Sequence, residues 1–133
     1  MNLPSKTLHT LISGAIFLGH ITEASNEYGV SPDAALILLV IVEYRQKSGQ
    51  NPTAEVARIQ TVYSQELFSE GLDQLYRAGL VATVTDRVRA TAKGTELLES
   101  MANRIHRELQ RRASESWEFA NAKRQKRASF SKQ

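Results

Sequence analysis

The chain has 133 residues, 41% hydrophobic and 23% charged, a balance that fits one ordinary domain. It contains no cysteine, which excludes disulfides, thiol chemistry and cysteine metal sites, and His9, His20 and His106 stand apart without the spacing of a ligand pair. The formal charge of +3 is unevenly placed: residues 1–103 hold 8 Lys/Arg against 11 Asp/Glu, a net −3, whereas 104–133 hold 9 against 3, a net +6.

Leu8, Leu11, Ile12, Ala15 and Ile16 recur at helical spacing and predict a one-sided helix over about 5–24, with Pro4 suited to its first turn. His9, Thr10, Ser13 and His20 interrupt this apolar start, which makes it a poor signal peptide. Residues 26–29 read as a loop. Ser31-Pro32-Asp33 is a helix start: a capping hydroxyl, a proline at the first helical position and an acid in the first turn. The run 34–42 is the longest apolar one. At nine residues it is too short for the ~18 of a membrane span, so it predicts a buried central helix that ends near Gly49. These features predict a cytoplasmic protein with no membrane partner.

Asn51-Pro52-Thr53 opens a short helix to about Thr61, with Val56, Ala57 and Ile59 expected inward. After Gln60-Thr61-Val62-Tyr63, Ser64 can cap a second helix with apolar positions Leu67, Phe68, Leu72, Leu75 and Tyr76, closed by Gly79. Gly71 inside it costs ~1 kcal/mol against alanine and either permits close packing on a neighbour or is merely tolerated. Residues 80–84 and 88–91 are rich in strand formers around a Thr85-Asp86-Arg87 turn, a β-hairpin pattern. Thr91 can cap a last helix, whose stripe Leu98, Met101, Ala102, Ile105, Leu109, Ala113, Trp117 and Ala120 predicts helix to about 120. Residues 121–133 read as a basic, disordered or frayed tail.

The stretch 53–94 resembles the winged helix of the MarR-type transcription regulators. The matching pieces are Gly79-Leu80-Val81, Asp86-Arg87 at the wing and Thr91-Ala92-Lys93-Gly94. The resemblance implies a single, mainly α domain with a small β-hairpin wing, a winged helix-turn-helix flanked by N- and C-terminal dimerisation helices. It also implies sequence-specific binding of double-stranded DNA as a homodimer. The sequence departs from the family in lacking a glycine at the turn and in the acids of the second helix.

On this reading the second helix meets base edges in the major groove through Ser64, Gln65, Glu66 and Ser69, with Glu70 also outward. The wing offers Asp86, Arg87 and Arg89 to the minor groove or backbone, Asp86 orienting the Arg87 guanidinium. Thr53, Arg58, Lys93, Lys123, Arg124, Lys126 and Arg127 are candidates for phosphates. The basic end equally reads as a solvated terminus. Leu8, Leu11, Ile12, Ile105, Leu109 and Trp117 are candidates for the dimer interface. The resemblance also implies a small-molecule effector; Tyr28, Tyr44, Tyr63 and His20 can line its pocket, although each equally reads as ordinary packing.

No nucleophile elbow, phosphate-cradling glycine loop or metal-ligand spacing is present in the sequence, so neither enzyme nor cofactor is expected. Glu66, Glu70 and Asp73 against a single Arg77 make an acidic reading helix. That keeps open a winged helix that binds a protein, or an accessory protein that does not read sequence.

Overall fold

The computed structural model describes residues 4–131, with the side chains of all but 116, 119 and 126–131. The elements are α1 (Ser5–Glu27), α2 (Pro32–Ser48), α3 (Ala54–Ile59), α4 (Gln65–Arg77), β1 (Val81–Val84), β2 (Arg87–Ala90) and α5 (Ala92–Ser131). The fold is the expected one, mainly α with a two-stranded hairpin. By packing the chain divides between Met101 and Ala102. The first unit holds the winged fold, and the second is the remainder of α5.

The core forms around α2, because its run of apolar residues leaves little polar surface. Ala34, Ala35, Ile37, Leu38 and Ile41 are buried there, with Ala24 of α1, Ala57 of α3, Phe68 and Leu75 of α4, Leu80, Val81, Val88, and Leu97 and Met101 of α5. Each large aliphatic side chain taken from water contributes about 1.5–3 kcal/mol. Ser31 starts α2 by accepting from the Ala34 amide at 3.2 Å. Gly71 lets α4 lie close on α2: a Cβ there would stand 2.5 Å from Ile37 Cδ1 and 3.6 Å from the Ala34 Cα. Two polar contacts fix the same pair. The Ser31 amide donates to Gln74 Oε1 at 2.8 Å, and the Tyr63 hydroxyl donates to Asp33 Oδ1 at 2.8 Å.

The hairpin pairs Val81 with Ala90 and Val84 with Arg87, so Thr85-Asp86 is a two-residue turn. Thr85 takes φ +63°, the positive value that a twisted two-residue hairpin requires. A β-branched residue there stores about 1–2 kcal/mol of strain.

The base of the hairpin is a clasp. The Thr91 amide donates to the Leu80 carbonyl at 3.0 Å and the Thr91 hydroxyl to the Gly79 carbonyl at 2.6 Å. The Lys93 ammonium donates to the Ala78 carbonyl at 2.9 Å, and the Gly94 amide donates to Thr91 Oγ1 at 3.2 Å, which caps α5. The Thr-x-Lys-Gly pattern is therefore the lock between the end of α4 and the start of α5.

Several expectations need correction. Pro4 is the N-cap of α1 and not part of its first turn, and α1 continues to Glu27. Ile59 and Leu67, expected inward, are 62% and 51% exposed. The reason for Ile59 is that α3 is only six residues long and buries Ala57 alone. Tyr76 is also exposed and bonds across to Thr83 Oγ1 at 2.6 Å. Finally, α5 runs to Ser131, well past 120. From 95 onward no proline or glycine interrupts it, and Ala, Arg, Lys and Gln are strong helix formers.

Candidate functional site

The second helix of the helix-turn-helix is placed from its first residue. Ser64 accepts from the Leu67 amide at 3.3 Å, so α4 begins at Gln65 and its first turn has a defined phase. Thr53 caps α3 in the same way, accepting from the Val56 amide at 3.2 Å. Between the two helices the Thr61 hydroxyl donates to the Arg58 carbonyl at 2.8 Å, closing the turn without glycine.

Ser64, Gln65, Glu66, Ser69 and Glu70 are all exposed on one stretch of α4. Gln65 and Ser69 also line a hollow between α3 and α4 together with Ala54, Glu55, Arg58, Phe68 and Leu72. Arg58 is half-buried there and has no ion-pair partner among the described residues. Arg77 is engaged by Asp73 one turn earlier. Glu66 and Glu70 have no cation partner among the described residues, so the outward face of α4 is acidic. Val62, in the turn before α4, is 99% exposed.

The wing is built differently from the expectation. Arg87 is half-buried, and its Nη1 donates to the Asn51 carbonyl at 2.6 Å; no Asp86–Arg87 ion pair is present among the described residues. The Val88 amide donates to the Pro52 carbonyl at 2.8 Å, and Thr53 bridges to Arg87 as an added edge. Arg87 thus ties the wing to the loop that starts α3. Arg89 is exposed and shares a hollow with Ile41, Val42, Arg45, Gln46, Asn51, Ala90 and Thr95, a lining without a carboxylate. Arg45 Nη1 is bonded to the Gly49 carbonyl at the end of α2. The sequence offers no reason to single out Arg45, and Asn51 stands out there only as part of a helix start, because a backbone carbonyl that accepts a hydrogen bond leaves no mark in the sequence.

Tyr63 belongs to the core edge. Burial first, then the bond to Asp33 and the charge of that carboxylate, push its phenol up to about 12. Tyr28 packs against the core as well, whereas Tyr44 lines a shallow hollow with Val40, Glu43, Lys47, Ser48 and Gln60.

On α1, Leu8, Leu11, Ile12 and Leu18 are 44%, 58%, 56% and 50% exposed, and the buried residues of that helix are Ala24 and Ser25. In the second unit Ile105 is half-buried, while Leu109 and Trp117 are 49% and 67% exposed. Arg111 pairs with Glu108 and Glu115 at 2.6 Å each, and Arg112 with Glu108 at 3.3 Å. Lys123 and Arg124 are exposed. The side chains of Lys126 and Arg127 lie outside the described residues. Among the described residues no helix is long and apolar enough to cross a membrane, and no group of three or more His, Cys, Asp or Glu is placed to hold a metal ion.

No protein-family model matches the sequence, and no curated protein matches it. Among solved structures, the chain is similar to a MarR family protein from Bacillus stearothermophilus. The likeness covers 81% of this chain and 80% of that one, with a TM-score of 0.56 and 20% identity.

Proposed function

We propose, taking as premise that the chain has the fold of a MarR family protein, that it is a transcription regulator that reads double-stranded DNA as a homodimer. The observation that carries the reading is the polar start of α4: Ser64, Gln65, Glu66 and Ser69 stand exposed on a capped helix pinned to α2. Such a helix fits the major groove, where Ser and Gln bond base edges and Glu accepts from a cytosine amino group. Arg89, on β2, is the wing cation for the backbone or minor groove, and Asp86 stands in the turn at the tip. Arg87 is a positioning residue for the wing. Thr53 and Arg58 flank α4 on the side where phosphates would pass; Lys93 has donors left for a phosphate after bonding Ala78.

A second copy would cover Leu8, Leu11 and Ile12 of α1 and Ile105, Leu109 and Trp117 of α5, because exposed apolar side chains such as Leu11 and Trp117 call for a partner. An anionic small-molecule effector would find the hollow beside Arg45 and Arg89. The role is one of binding, in the cytoplasm, with no reaction assigned.

The test is selection of bound duplexes from a random DNA pool. A two-fold symmetric consensus is expected, and Gln65→Ala should cost ~1–3 kcal/mol at one base pair and relax the preference there. A specific observation favours a second reading, a protein partner: Ile59, Val62 and Leu67 are 62%, 99% and 51% exposed on the same helix-turn-helix as Glu66 and Glu70, which have no cation partner among the described residues. Absence of any enriched sequence would favour that reading.

A further inference from the structure

We propose that the outward face of α4 selects base pairs by their exocyclic amino groups, the cytosine N4 and adenine N6 donors of the major groove, and rejects edges that offer acceptors alone. This rests on the reading of duplex DNA by α4 and names the base edges which that surface takes.

Side-chain chemistry limits the choice. Between Arg58 and Arg77 the sequence holds no lysine, arginine or histidine. Arg58 is half-buried and lines the hollow between α3 and α4, and Arg77, in the last turn of α4, pairs with Asp73. The commonest reader of guanine, an arginine or lysine donating to O6 and N7, is therefore missing from the first turns of the helix. In its place Glu66, Ser69, Glu70 and Asp73 fall at i, i+3, i+4 and i+7, exposed along one face. Gln65 stands exposed in the turn that Ser64 caps. An ionised carboxylate accepts hydrogen bonds and donates none. Glu66 and Glu70 have no cation partner among the described residues, so no ion pair there occupies their oxygens.

Base edges differ in what they offer such a face. Cytosine presents its N4 amino group, and adenine its N6 amino group beside N7. Guanine presents O6 and N7, and thymine O4, all acceptors. A carboxylate against O6 or O4 sets acceptor against acceptor and leaves both without a donor. The phosphates add a repulsion that is the same for every sequence, and a bond from an amino group offsets it. Glu66 and Glu70 thus give up affinity for discrimination, acting by rejection of wrong edges as much as by attraction to right ones. Gln65 selects in the same direction, because its carboxamide bonds adenine N6 and N7 together.

The experiment starts from the consensus that the full-length chain selects from a random duplex pool. That duplex is remade with cytosine methylated on N4, or adenine methylated on N6, at one position at a time; the methyl replaces the amino hydrogen that faces the major groove. A parallel set carries a guanine analogue with carbon in place of N7. A methyl at a contacted position should weaken binding about 5–150-fold, the worth of one good base contact. The Glu66→Ala or Glu70→Ala chain should bind the methylated and plain duplexes alike at its own position, which separates a lost contact from any change in the duplex itself. Both side chains are exposed, so circular dichroism should show the fold unchanged. A consensus weakened by the guanine analogue, with no methyl penalty that either alanine variant relieves, overturns the proposal and leaves DNA reading by α4 standing. A chain that selects no consensus overturns both.

Discussion

Gly94→Ala tests the lock between the end of α4 and the last helix. Gly94 lies in the first turn of α5, where alanine would ordinarily stabilise by ~1 kcal/mol. Here its Cβ would run into the carbonyl oxygen of Leu80, with Leu38 Cδ1 at 3.4 Å on another side. Leu38 and Leu80 are fully buried, and the obstructing atom belongs to the backbone, so no side chain can rotate aside. Relief requires the Leu80 peptide to shift, which strains its bond from the Thr91 amide, an interaction of about 1 kcal/mol. Overpacking adds about 1–3 kcal/mol. Set against the helix gain, the net loss is about 1–3 kcal/mol, a drop of roughly 1 M in urea midpoint for a protein of this size. Gly71→Ala is the internal comparison. Its Cβ would stand 2.5 Å from Ile37 Cδ1, the end of a side chain that can change rotamer, so its loss should be the smaller of the two. Urea unfolding followed by circular dichroism at one fixed protein concentration measures both. A Gly94→Ala variant as stable as the wild type, or less affected than Gly71→Ala, would refute the close approach of α5 to Leu80.

Arg87→Ala should cost about 1–2 kcal/mol of stability by removing the bond to Asn51, whereas Arg89→Ala should stay within about 0.5 kcal/mol in the same unfolding assay and instead lower the salt slope of DNA binding by about 0.9. Leu11→Glu and Leu109→Glu replace exposed side chains, so the fold should persist while sedimentation shifts from dimer to monomer; a wild-type monomer at tens of micromolar would remove the dimer. The phenol of Tyr63 is raised from 10.0 to about 12 in the fold, so its stabilising contribution is complete below pH 10 and is lost as pH climbs from 10 to 12. Tyr63→Phe should remove that part of the alkaline loss; an identical alkaline profile in the variant would count against the Asp33 bond.

The parts of the fold that were legible from sequence are those set by local chemistry. Ser31, Thr53, Ser64 and Thr91 each cap a helix within three residues of themselves, and such signals can be read one turn at a time. The buried run of α2 was legible because no polar residue interrupts it. Periodicity served less well for Ile59: α3 is six residues long, too short to define which face turns inward. The roles of Arg87 and Lys93 were hidden for another reason. Their partners, the carbonyls of Asn51 and Ala78, lie 36 and 15 positions away in the chain, and backbone acceptors leave no mark in the sequence. The end of α5 was misread because polarity was taken for disorder, although its residue types propagate helix well.

The clasp at the foot of the hairpin also bears on how such a chain can change over evolutionary time. Thr91 is held to Leu80 by its amide and to Gly79 by its hydroxyl, so the ten residues from Val81 to Ala90 span two points that stay joined without them. Lengthening the tip at Thr85-Asp86 therefore adds little chain-closure entropy, since that cost grows only with the logarithm of loop length. Glycine at Thr85 would relieve the strained φ outright. The tip is thus open to insertion and replacement, while α4, fastened to α2 by Gly71, Gln74 and Tyr63, admits change only in the side chains it turns outward.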